Sequence, residues 1–272
     1  MQRSLRVAAI QLSSQDNLEQ NLAQVSGLVL RAAESGAKLV VLPENFAFLG
    51  AEADKRVLAE RLGDLGAPIQ GTLSRLAREC SLTLVAGGFP EASGEPLKPF
   101  NTCAVFGPDG ALLASYRKIH LFDVELPDGS SLLESSAVSP GSEPVVVDIG
   151  GFRVGLSVCY DLRFPELYRA LIDRGAEVLL VPAAFTLQTG KDHWHLLLRA
   201  RAVESQSWVI AAAQWGRHPK NRASYGHSLI VDPWGLVVAD CSDRVGYVVA
   251  DLDRDYLESI RSRFPALTHR RL

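Results

Sequence analysis

Three residues of different chemistry each close a short apolar run. Glu44 follows LVVLP, Lys118 sits in SYRKIHLFD, and Cys159 ends FRVGLSV. A thiol with an ordinary pKa of about 8.5 needs a base or a nearby cation to become a nucleophile. A carboxylate crowded by apolar walls can act as base and then as acid near neutrality. An ammonium beside it stabilises the oxyanion of a tetrahedral intermediate, and one such donor is worth ~3–4 kcal/mol. Taken singly, each residue has a plainer reading: Cys159 as a small buried hydrophobe, Glu44 and Lys118 as solvated charges at strand ends. The combination changes the odds, because the C-terminal edge of a sheet is where α/β proteins gather ligand-binding groups. Cys159 lies where a strand gives way to a helix start, and the backbone N–H of Tyr160 can point into the same space. Cys80 and Cys103 read as core residues and Cys241 as a surface thiol in a turn.

The elements that must carry these residues follow from periodicity. Arg6–Leu12 reads as a strand, and Asp16 with Glu19 three residues on reads as a capping box. Leu18, Leu22, Val25, Val29 and Ala32 then make one helical face, and Gly36 suits the position just past the helix end. Lys38–Leu42 is a continuous apolar strand stopped by Pro43, which completes a β-α-β unit. Pro68 can open a helix with Ile69, Leu73, Leu76 and Cys80 on one side. Leu82–Phe89, Thr102–Phe106 and Leu112–Arg117 read as strands, the last two joined at Pro108-Asp109-Gly110. In the second half, Phe152–Val158 and Glu177–Val181 read as strands around a helix starting near Pro165. A further helix is expected over 190–206, with strands at Val209–Ala213, His227–Val231, Val237–Ala239 and Tyr247–Ala250. GAKLVVLPEN at 36–45 and GAEVLLVPAA at 175–184 suggest a weak internal repeat of two similar halves. The expected architecture is one α/β domain over 1–272, with two sheets face to face and helices outside.

Composition bounds the function. The 272 residues are 47% hydrophobic and 22% charged, which is ordinary for a globular chain and excludes intrinsic disorder. With 28 basic and 31 acidic residues the net charge is −3, against a nucleic-acid partner or a polybasic membrane anchor. No apolar run approaches a membrane span, and the N-terminal apolar stretch is too short for a signal peptide. Four scattered cysteines without a C-x-x-C pair argue against a disulfide framework or zinc site and for a reducing cytosol. His193 and His195 are two apart on a predicted helix and share no face, so they read as poor metal ligands with a structural or solvated role. His227 reads as a hydrogen-bonded core or near-site histidine, and Arg199, Arg201 and Glu204 as partners in structural ion pairs.

The segments LVVLPEN, YRKIHLFD and VCYDLRFPELYRAL resemble the nitrilase superfamily, and the likeness extends over essentially the whole chain. The branch it resembles most hydrolyses deaminated glutathione, on KIHLFDVELP, LLES, HW..LLRARAVE and RASYGHSLIVDPWG; ω-amidases usually carry tryptophan where SYGHS has tyrosine. The resemblance implies a four-layer α-β-β-α sandwich. It implies Glu44 as general base, Lys118 as oxyanion-stabilising lysine, Cys159 as nucleophile and Glu134 of LLES as a second glutamate near the lysine. The Tyr160 N–H would complete the oxyanion hole. Arg163 matches an arginine that keto-acid amidases use to hold the substrate carboxylate, where a planar guanidinium suits a bidentate match. Pairing of Arg163 with Asp161 or Glu166 is its plainer reading. Phe185 and Thr189 match pocket-lining positions, with packing or helix capping as the alternative. His195 departs from relatives that often have Glu after the Trp.

The residues and the resemblance together point to a cytoplasmic amidase acting on a small linear amide with a keto-acid carboxylate, through a Cys thioester. The products implied by the resemblance are 2-oxoglutarate and cysteinylglycine, a metabolite-repair reaction. No metal or organic cofactor is required, since the electrophile is already an acyl carbon, and a homodimer through outer helices is expected. An ω-amidase acting on 2-oxoglutaramate, a true nitrilase and a non-enzymatic scaffold remain as alternatives.

Overall fold

The computed structural model describes residues 3–95, 97–125 and 131–271. Its first half builds strands β1 (Ser4–Gln11), β2 (Leu39–Val41), β3 (Thr83–Glu91), β4 (Phe100–Phe106) and β5 (Leu112–Arg117). Helices α1 (Leu18–Glu34), α2 (Glu52–Val57) and α3 (Pro68–Cys80) connect the first three. A short antiparallel pair, β6 (Asp123–Glu125) with β7 (Ser131–Leu133), follows. The second half builds β8 (Val146–Ile149), β9 (Phe152–Leu156), β10 (Val178–Leu180) and β11 (Trp208–Ala211), with α4 (Pro165–Asp173) and α5 (Leu187–Ser205) between the last three. A second short pair, β12 (Trp215–Arg217) with β13 (Ala223–Tyr225), precedes β14 (Leu229–Val231), β15 (Val237–Asp240), β16 (Gly246–Asp253) and α6 (Arg254–Arg263).

These strands form two six-stranded sheets, β16-β1-β2-β3-β4-β5 and β8-β9-β10-β11-β14-β15. Each has three parallel strands in its middle and antiparallel strands on both flanks. β2, from GAKLVVLP, and β10, from GAEVLLVP, each lie at the centre of the parallel trio of their sheet, so the suggested repeat is real at the level of topology. Side-chain alternation sorts the first sheet into two faces. Val7, Ala9, Leu39, Val41 and Val85 meet Val154, Leu156, Val178 and Leu180 of the other sheet in one core. Ala8, Ile10, Val40, Leu84 and Ala86 turn the other way, onto Leu22, Val25 and Val29 of α1 and Ile69, Leu73 and Leu76 of α3. Helix, sheet, sheet and helix therefore stack as four layers.

Local chemistry accounts for most boundaries and corrects a few. α1 is capped by Asn17, whose side chain accepts from the Gln20 N–H, and not by Asp16, so the expected capping box is not used. Pro68 opens α3, where its missing N–H costs nothing. Gly36 takes φ +88° past α1, as its place predicts. α5 starts at Leu187, capped by Thr186, a turn earlier than expected. Cys80 is half-buried against the core of α1 and α3, as its stripe predicts, whereas Cys241 is buried and not the surface thiol expected. Among the described residues, no helix is long and apolar enough to cross a membrane.

One close approach decides how the halves meet. A Cβ at Gly87 would collide with the Leu42 carbonyl and lie 2.5 Å from Cβ of Pro182, so only glycine lets these chain segments touch. The register of β3 against β4 shifts at this point, between Ala86 and Phe89. The prolines that end β2 and β10 are thereby drawn together, with Glu44 one residue past the first and Ala184 two past the second.

Candidate active site

Cys159 opens a 3-10 turn, Cys159–Arg163, just after β9. Its φ is +50°, a left-handed conformation that β-carbon sterics disfavour, and its N–H donates to the Pro182 carbonyl at 2.8 Å. The sulfur is thus held at a sharp corner against the end of the neighbouring strand. Lys118 follows β5; its N–H donates to the Asn101 carbonyl and its own carbonyl accepts from Gly141. The side chain is only 2% exposed. Its Nζ lies 2.9 Å from Glu44 Oε1, and 3.0 and 2.8 Å from the two oxygens of Glu134. Glu44, 3% exposed, also accepts from Asn101 Nδ2 at 2.9 Å and from the Ala184 N–H at 3.1 Å. Its surroundings are donors rather than the apolar walls that sequence reasoning pictured. The charges of Glu44 and Lys118 both act on the Cys159 thiol. Glu44, Lys118, Glu134 and Cys159 therefore form one buried cluster, although they come from widely separated parts of the chain.

Two carboxylates share one ammonium here, which sets the charge states. Burial disfavours the charged form of Lys118, but the Glu134 and Glu44 carboxylates outweigh it and hold its pKa well above the usual lysine value. Burial likewise acts against the charge of Glu134, yet Lys118 and the Phe122 N–H, 2.7 Å away, hold it below the usual carboxylate range. The Cys159 thiol is pushed well above its ordinary pKa, by burial first and the Glu44 charge second, with Lys118 opposing.

Cys159 also lines a small pocket open to solvent together with Tyr160, Arg163, Phe185 and Thr189, the four residues expected at a substrate pocket. Phe122, Ala184 and Thr186 complete its wall. The Arg163 guanidinium lies over the Phe185 ring at 5.3 Å and the Tyr160 ring at 5.9 Å, with His193 Nδ1 3.3 Å from each terminal nitrogen. Its plainer reading fails at Asp161, which instead accepts from the Tyr116 hydroxyl at 2.7 Å and the Val158 N–H at 2.8 Å and contacts His120. Phe185 packs on Trp194 at 4.9 Å, and Thr189 bonds the Thr186 cap, so both combine pocket lining with a structural task. Arg201 pairs with Glu204 as expected, whereas Arg199 donates to the Gly235 carbonyl.

Sequence reasoning missed Asn101, Phe122 and the Ala184 N–H, and assigned Asp161 no part in holding the site. Asp161 ties the Cys159 turn to Tyr116 and His120 on either side of Lys118, so it sets the spacing of sulfur and ammonium. A polar residue in an otherwise apolar β4 was the one available signal for Asn101. Leu126 and Pro127 of the KIHLFDVELP motif lie outside the described residues.

A profile of the family described as "Carbon-nitrogen hydrolase" matches residues 6–262. The chain belongs to the carbon–nitrogen hydrolase family. Its curated relatives include a Synechocystis protein named deaminated glutathione amidase, 46% identical over 266 residues that cover 97% of each chain. The solved NitFhit protein of Caenorhabditis elegans superposes with a TM-score of 0.92 at 41% identity, covering 98% of this chain and 65% of that longer one. Saccharomyces cerevisiae Nit3, described as a member of branch 10 of the nitrilase superfamily, gives 0.89 at 33% identity, covering 100% and 98%. The chain is thus a hydrolase of amide carbon–nitrogen bonds on the α-β-β-α fold of that superfamily.

Proposed function

We propose that this carbon–nitrogen hydrolase cleaves deaminated glutathione to 2-oxoglutarate and cysteinylglycine, a repair reaction on a damaged metabolite. The observation that carries the reading is a buried carboxylate–ammonium pair beside a sulfur that lines a small pocket, whose wall also holds Arg163. The names of the curated relatives support the same substrate.

In the proposed reaction Glu44 takes the proton of Cys159 as the sulfur attacks the amide carbonyl carbon. Lys118 Nζ and the Tyr160 N–H hold the oxyanion. Glu44 returns the proton to the departing amine, the C–N bond breaks, and a thioester remains. Glu44 then deprotonates a water that attacks the thioester; 2-oxoglutarate leaves and the proton returns to sulfur. Glu134 keeps Lys118 charged and oriented throughout. Arg163 binds the distal carboxylate of the acyl group, with Phe185 and Thr189 shaping the pocket beside it. The electrophile is already an acyl carbon and every proton moves through Glu44, so the proposed chemistry calls for no metal or organic cofactor.

Residues 1–272 are taken to make one catalytic domain working in the cytoplasm. Two copies would pair through outer helices, where Leu196 and Val203 of α5 stand exposed. The decisive test is an amide panel on wild type and Cys159→Ala, following 2-oxoglutarate release. The reading expects deaminated glutathione to be turned over with the highest kcat/KM, a trappable acyl-enzyme, and no turnover by the variant. Faster turnover of free 2-oxoglutaramate would assign the chain to the ω-amidases instead.

A further inference from the structure

A second group of metal-binding side chains lies outside the catalytic cluster. His195 of α5, His227 just before β14 and Asp240 at the end of β15 each offer one ligand atom, all within 4.8 Å of one another. His195 Nε2 is 2.9 Å from Asp240 Oδ2, and His227 Nδ1 is 2.9 Å from Asp240 Oδ1. The other nitrogen of His227 lies 3.5 Å from Asp243 Oδ1. Side-chain exposures of 33%, 25% and 34% leave the three groups open to ions from solvent. We propose that His195, His227 and Asp240 form a surface site for one zinc-class divalent cation.

The donor set and its support both fit. Zinc takes imidazole nitrogen at ~2.0–2.1 Å and carboxylate oxygen at ~2.0–2.2 Å in a tetrahedron, so neighbouring donors end roughly 3.3 Å apart. The two imidazole–carboxylate spacings, 2.9 Å each, are already close to that value. Two nitrogen donors select zinc-like ions over magnesium or calcium, which prefer all-oxygen shells. Asp243 Oδ1 lies 3.5 Å from His227 Nε2, and a small approach would let it accept the Nε2–H and leave the Nδ1 lone pair for the ion; ligating histidines generally have such a partner. Tyr225 stacks on the His227 ring at 4.7 Å and meets His195 edge-on at 6.0 Å, limiting the rotation of both. His227 also holds a left-handed backbone, φ +57°, directly after Gly226 at +82°.

The ion would be structural. None of its ligands lines the cavity that holds Cys159. It would instead clamp α5 to the β14–β15 region, alongside the Trp194 Nε1–H bond to the His227 carbonyl at 2.8 Å. Since Trp194 packs on Phe185, the clamp would stiffen the pocket wall from behind.

The test needs no substrate: calorimetric titration of ZnCl2 into the EDTA-stripped full chain, and thermal melts with and without the ion. The expected result is one ion per chain and a higher melting temperature. His195→Ala, Asp240→Asn and His227→Asn should each weaken binding at least ~10-fold, asparagine at 227 being tolerant of the left-handed backbone. Asp243→Asn should weaken it by about 10-fold. Cys159→Ala and Cys241→Ser should bind like wild type. No uptake, unchanged affinity in all three ligand variants, loss of binding in Cys159→Ala or Cys241→Ser, or equal uptake of MgCl2 would each overturn the site.

Discussion

Glu44→Gln separates the two tasks given to this carboxylate. The substitution keeps the volume of the side chain and removes its charge and proton affinity. Lys118 retains Glu134 at 2.8 and 3.0 Å, so the variant avoids the ~3–5 kcal/mol cost of leaving a buried charge unpaired. Folding and the melting temperature should therefore change little. Turnover should not survive. Burial raises the thiol pKa, so even an ordinary thiol's few per cent of thiolate at pH 7 is an upper bound for Cys159. Proton transfer in both half-reactions then depends on Glu44, and a positioned acid–base is worth about 10²–10⁴-fold. We expect kcat to fall by about 10⁴, or ~5.5 kcal/mol of barrier, with KM within about threefold because Glu44 does not line the cavity. Thiol alkylation should respond in the opposite sense. The Glu44 charge raises the Cys159 pKa and Lys118 lowers it, so removing the former leaves the latter less opposed. The pH midpoint for iodoacetamide labelling should move down from that of wild type while amide turnover collapses. Turnover within tenfold of wild type, or a labelling midpoint that stays or rises, would refute the reasoning.

Other perturbations probe the remaining parts. Arg163→Ala should raise KM for carboxylate-bearing amides by about 100-fold, the value of a charge-assisted bidentate contact, and leave neutral amides within about threefold; equal effects in parallel kinetics would remove the carboxylate clamp. Glu134 has its pKa lowered on folding, so its contribution to stability is present above the ordinary glutamate pKa and is lost as pH falls through the lower folded value. Urea titrations from pH 7 to 3 should show this loss in wild type and a flatter profile in Glu134→Gln, whose kcat should also drop about 10-fold or more; superimposable profiles would contradict the coupling. Asp161→Asn keeps its shape but weakens bonds to Tyr116, Val158 and His120, so chemical denaturation should register a loss of about 3 kcal/mol, together with reduced kcat. Stability within about 0.5 kcal/mol of wild type, the size of a neutral surface change, would mean that Asp161 does not brace the two arms of the site.

Most of the element types, and the likeness of the two halves, were readable because each β-α-β unit is written in local periodicity. Strands such as LVV and VLL are continuous apolar runs, and α1 and α3 show one apolar face each. Boundaries were less readable where neighbouring residues compete for one cap, as Asp16 and Asn17 do. The short pairs β6–β7 and β12–β13 had no hydrophobic alternation to announce them and depend on surrounding contacts.

The residue types of the site belong to the same local record: a carboxylate, an ammonium and a thiol, each standing just past a predicted strand. Their meeting does not. Glu44 and Lys118, 74 positions apart, meet at the edge of the first sheet, and Cys159 joins them only through the glycine-mediated approach of the second sheet and a 3-10 turn with a left-handed first residue. Asn101, Phe122 and the Ala184 N–H gain their roles only from that packing, as does the joining of His195 to His227 and Asp240. Periodicity reports which side of an element is apolar, because burial is decided residue by residue along a helix or strand. It carries no information about which polar groups from distant elements become neighbours, since that depends on how whole layers stack.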